Sequence, residues 1–75
     1  MDFKLGERII AIGGAWKGER GVIIRTPKRW QSIAVRFDKS DPQKHNCEGL
    51  CENGHGWFAE HHHIKSDKLN WEDYV

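Results

Sequence analysis

Four residues between positions 45 and 55 carry the most chemistry in this chain: His45, Cys47, Cys51 and His55. Two imidazoles and two thiols are the donors zinc takes into tetrahedral sites, with Zn–S near ~2.3 Å and Zn–N near ~2.0 Å. An ion there would tie a long polar segment and offset the entropy of ordering it. Gly49, Gly54 and Gly56 would let the backbone curl round it. The H-x-C-x3-C-x3-H spacing departs from the C-x2-C of common zinc knuckles. A metal-free arrangement stands beside it: Cys47 and Leu50 pack inward as small apolar groups, and His45 or His55 hydrogen-bonds the turn backbone. Gly54-His55-Gly56-Trp57 then serves to deliver Trp57 to the core. A Cys47–Cys51 disulfide is disfavoured in a reducing compartment. Nucleophilic catalysis by Cys51 with His55 would need a third, orienting group. A chain of 75 residues has little material for a supported cleft, so no catalytic residue is assigned and no cofactor is required.

A second cluster is basic and aromatic. Arg25, Lys28, Arg29 and Trp30 surround one turn at Pro27, Arg36 joins from the following strand, and Trp16 lies in an earlier turn. Cations beside an exposed ring suit phosphate contact with base stacking. They equally suit a protein partner, because tryptophan and arginine are enriched at binding hot spots. The plain alternative is a solvated hairpin tip whose lysine guards a sheet edge. Charge is divided along the chain. Residues 1–36 hold eight Lys/Arg against three Asp/Glu, a net +5, and residues 37–75 hold four against eight, a net −4. Two such halves either face a charged partner or attract each other. The run His61-His62-His63 can bind an ion at a surface, but it reads as an exposed strand end and receives no role.

These residues need a scaffold, and the punctuation predicts an all-β one. Glycine or proline recurs every ten residues or so, with short β-branched runs between. Strands are expected over 9–12, 21–26, 30–37 and 56–59, with His63-Ile64 as a one-turn helix or a closing strand. Ile33, Val35 and Phe37 alternate with Ala34 and Arg36, the period of a strand buried on one face. Ile9, Ile23, Ile33, Val35, Phe37 and Phe58 are the expected core. One of Trp57 and Phe58 faces it, and Trp16 and Trp30 are expected outside as contact residues. A long loop over 38–55 precedes the fourth strand. One domain is expected over 1–66, with an acidic, aromatic C-terminal tail over 67–75. At 8.7 kDa such a chain buries about 60% of its unfolded surface. No apolar run approaches the ~20 residues that span a bilayer, and no charged-then-apolar leader is seen. A cytoplasmic protein without membrane contact is expected.

The segment Leu5 to Arg25 resembles the KOW motif of transcription elongation factors and large-subunit ribosomal proteins, through Gly6, Ile9, Ala11, Ile12, Lys17, Gly18, Gly21 and Ile23. The resemblance implies a small SH3-like barrel of about five strands that contacts nucleic acid or a partner protein through its loops and one open face. The loop HNCEGLCENGHGWF at 45–58 is similar to small proteins of bacteriophages and their bacterial hosts, a group that implies source and fold but no mechanism. Three functions are therefore expected in order. The first is a non-enzymatic adaptor docking on a host protein or nucleoprotein complex. The second is a direct nucleic-acid binder using the basic hairpin. The third is a zinc-stabilised structural module.

Overall fold

The computed structural model describes residues 3–26 and 32–67. Among these residues five strands form: β1 (Arg8–Ala11), β2 (Arg20–Arg25), β3 (Ile33–Phe37), β4 (Gly56–Ala59) and β5 (Ile64–Ser66), with a 3-10 turn at His61–His63 before the last. All pairings are antiparallel, in the spatial order β4-β3-β2-β1-β5. The expected all-β architecture is thus what the chain adopts. The expected turn at Pro27 to Arg29, the expected start of the third strand at Trp30 and Gln31, and the tail beyond Asp67 lie outside the described residues. No helix among the described residues is long and apolar enough to cross a membrane.

The strands follow from the alternation. In β1, Ile9 and Ala11 are buried while Arg8 is exposed, and in β2, Gly21 and Ile23 are buried while Arg20 is exposed. β1 lies one residue earlier than expected, and Ile12 is left exposed. Gly21 is needed for packing: a Cβ there would stand 2.5 Å from the Arg36 carbonyl oxygen, closer than real Cβ atoms come. The β2–β3 register slips between Ile23 and Arg25, a bulge that sharpens local twist.

Ile9, Ile23, Ile33, Val35 and Phe37 join Ala11, Trp16, Ala59 and Ile64 in one core. Ala59 of β4 and Ile64 of β5 share that core although their strands are the outer two of the sheet. The sheet therefore curls over its contents, and β4 and β5 share no ladder among the described residues.

Three expectations are corrected. Phe58 is half-buried rather than core, and it is Trp57 that packs against the core. Leu50 is 47% exposed, not inward. Trp16, expected outside as a contact residue, is 9% exposed because the loop after β3 returns across it.

Candidate functional site

The loop between β3 and β4 is ordered by a tie of its own. Lys44 is buried at 3% exposure. Its Nζ donates to Glu19 Oε1 at 2.6 Å and to the Lys39 carbonyl at 2.6 Å. The ammonium also lies 4.6 Å from the Trp16 ring centroid and 5.0 Å from that of Phe37. A desolvated cation over ring faces gains about 2 kcal/mol or more. A single lysine in a polar loop gives no sign in sequence of this role, since its counterion stands twenty-five positions away.

Beyond Lys44 the chain pairs briefly with β4. His45 and Gly56 exchange backbone hydrogen bonds of 2.9 and 2.6 Å. The Cys47 amide donates to His45 Nδ1 at 2.9 Å, so that nitrogen carries no proton. His55 Nδ1 meets the Phe37 carbonyl at 2.8 Å, and because a carbonyl only accepts, His55 is the donor. Both histidines thus bond backbone. Cys47 and Glu48 hold left-handed backbone, with φ of 51° and 59°, followed by Gly49 at 98°. The two non-glycine residues cost about 1–3 kcal/mol each and persist only where their surroundings hold them. That turn sends Cys47 inward, its thiol donating toward the Val35 carbonyl at 3.8 Å, and leaves Leu50 outside.

The four side chains expected as a zinc set are not gathered. Among the described residues, no three of His45, Cys47, Cys51 and His55 bring ligand atoms within 4.8 Å of one another. The cysteines are free thiols in hydrogen-bond contact. Burial pushes the Cys47 thiol up to about 11 and raises that of Cys51 as well. Neither is a ready nucleophile at neutral pH.

The basic residues find acidic partners within the chain. Arg36 Nε meets Glu52 Oε1 at 2.6 Å, and Arg25 Nη1 meets Glu48 Oε1 at 3.5 Å. Arg25 also stands 5.1 Å over the Phe58 ring. Arg8 pairs with Asp38 at 2.5 Å and Arg20 with Asp67 at 3.0 Å. In all four pairs a cation of the first half meets an anion of the second. The Arg36 hydrogen bond draws the Glu52 carboxyl down to about 2, and the Arg8 hydrogen bond lowers Asp38. Of the expected contact residues, Arg25 and Arg36 are thus ion-paired and Trp16 is buried. Lys28, Arg29 and Trp30 lie outside the described residues.

What the sequence does not reveal is an aromatic cleft at one end of the sheet. Ala11, Gly14, Trp16, Phe37, Trp57 and His63 line it. Trp16 and Trp57 meet edge to face, with centroids 5.2 Å apart at 85°, and His45 stacks on Trp57 at 5.7 Å. The buried Trp16 Nε1 has no hydrogen-bond partner among the described residues. Only the shared core position of Trp57 and Trp16 creates this cleft, so no local motif announces it. Comparison with protein families, curated proteins and solved structures finds no match to this chain.

Proposed function

We propose that this chain is a non-enzymatic binding module of SH3-like form. In this reading it is an accessory protein of a bacterial cell, or of a phage infecting one, and acts in the cytoplasm by docking on a host protein. The observation that carries the reading is the cleft with its unpartnered indole N–H. A buried donor without an acceptor costs about 1–3 kcal/mol. A partner segment that lays an apolar side chain over Trp57 at the mouth of the cleft, and displaces the lining enough to turn a carbonyl toward Trp16 Nε1, removes that cost. The spatial strand order, with β5 beside β1, supports the barrel-like form.

Direct nucleic-acid binding is the weaker reading, because Arg25 and Arg36 would have to leave Glu48 and Glu52 to reach phosphates. The test immobilises the full chain and passes over it a bacterial extract with and without nuclease. A defined protein retained in both cases is then purified and titrated into 15N-labelled chain. A shifted Trp16 indole N–H resonance, with binding weakened in Trp57→Ala and largely kept in Trp57→Phe, is the expected result. Retention that nuclease abolishes, or binding that leaves the Trp16 indole resonance unmoved, overturns the proposal.

A further inference from the structure

The histidine run without a role in the sequence is ordered by the fold. Glu60 follows β4 in extended backbone and stands at the N-cap position of the 3-10 turn His61–His63, its carboxylate making no capping hydrogen bond. In a 3-10 turn, residues three apart eclipse each other. Glu60 and His63 accordingly lie together, with His63 Nδ1 4.0 Å from Glu60 Oε2. The His62 and His63 rings adjoin, with centroids 4.3 Å apart. One ligand atom from each of Glu60, His62 and His63 lies within 4.8 Å of the others, and His61 is outside the set.

His63 is also held in place. Its amide donates to the Glu60 carbonyl at 2.9 Å, and its carbonyl accepts from the Ile12 amide at 2.7 Å. Its ring rests where Gly13 and Gly14 leave room: a Cβ on Gly13 would lie 3.0 Å from Cδ2, and one on Gly14 3.2 Å from Nδ1. The pair of glycines fits the ring rather than the turn alone.

The geometry points to a divalent transition-metal site built from Glu60, His62 and His63. Two imidazoles and one carboxylate suit zinc or copper, with the remaining coordination positions open to water or a partner's ligand. They do not suit calcium or magnesium, which take oxygen donors. Bonds near ~2.0 Å in a tetrahedral site set ligands about 3.3 Å apart. The exposed side chains of Glu60 and His62 swing in to reach that spacing while His63 stays as the fixed point. The site shares His63 with the lining of the cleft, but it rests neither on the docking reading nor on the Cys47–Cys51 loop.

The test is zinc titration of the full chain by calorimetry, with native mass spectrometry for stoichiometry and Cu2+ paramagnetic resonance for nitrogen coordination. One ion per chain is expected, with two-nitrogen coupling for copper. His62→Ala and His63→Ala should each weaken binding about tenfold or more, a loss at least as large as second-shell changes cause, and Glu60→Gln severalfold. His61→Ala should leave it unchanged. The His62 side chain is exposed, so His62→Ala retains the fold and keeps the test open. The proposal is overturned if His61→Ala weakens zinc as much as His62→Ala, which marks unspecific chelation by a histidine run. It is equally overturned if binding survives His62→Ala/His63→Ala and is lost in Cys47→Ser/Cys51→Ser.

Discussion

Replacing Glu19 by Gln tests whether the Lys44 ammonium anchors the long loop. The change keeps the size and a carbonyl oxygen near Nζ but removes the only carboxylate bonded to that group among the described residues. Lys44 then keeps the Lys39 carbonyl at 2.6 Å and the two ring faces. Removing one partner of a buried pair costs about 3–5 kcal/mol. The Glu19 side chain is one-quarter exposed, so the lower end, about 3 kcal/mol, applies. A chain of this length has a total stability of about 4–11 kcal/mol. At about 4–8 °C per kcal/mol for small domains, Tm should fall by about 12–24 °C. Lys44→Met should cost less, about 1 kcal/mol, because the stem still packs on Trp16 and Phe37 while Glu19 turns to water. Glu19→Gln/Lys44→Met should match Lys44→Met alone. Urea unfolding followed by tryptophan fluorescence at neutral pH reads all three, with an unchanged m-value as the check on two-state behaviour. A Glu19→Gln protein within about 0.5 kcal/mol of the parent refutes the reasoning, since that is the scatter of ordinary surface changes. So does a Lys44→Met protein less stable than Glu19→Gln.

Gly21→Ala should destabilise by about 3 kcal/mol, the upper range for overpacking, because the Arg36 carbonyl lies on backbone that cannot step aside; a midpoint change under about 1 kcal/mol in urea would contradict the close approach. In acid, Glu52 and Asp38 have folded values below their unfolded ones, so their contribution is present above the ordinary carboxylate range. For Glu52 it is lost as pH falls from 4.5 toward about 2. Carbon-detected NMR should find Glu52 titrating low, and returning to the ordinary range in Arg36→Gln. The Cys47 thiol is shifted the other way, so the stability it adds is complete below pH 9.0 and drains as pH rises toward about 11. Iodoacetamide at neutral pH should therefore label the half-buried Cys51 well before the buried Cys47, and mass spectrometry after digestion gives the order.

Much of the scaffold was legible because period-two burial is a local property. Ile33, Val35 and Phe37 declare their face within five residues, although Ala34 on the other face is buried too, and the strand at Gly56–Ala59 has the bounds its glycine and aromatic pair predict. The site was less legible because its parts are brought together from far along the chain. Trp57 and Phe58 alternate, but which of them faces inward depends on the phase set by β3, across the sheet. Leu50 looks like a core residue beside two cysteines, yet left-handed backbone at Cys47 and Glu48 turns it out. Trp16 sits among turn residues, and only the return of Lys44 across it makes it part of the core. The opposed charges of the two halves were visible, and among the described residues four arginines of the first half pair with carboxylates of the second.

The pairing of β1 with β5 sets Ile9 opposite Ser66, so the earliest strand waits for the latest. During synthesis, a ribosome must extrude the chain past Ser66 before that seam can zip. Until then, one flank of the first strand offers unpaired amides to any passing neighbour. Assembly governed by such distant partners proceeds on about the millisecond-to-second scale of non-local β proteins, and nascent-chain fragments ending before Ile64 should be the species most prone to clump.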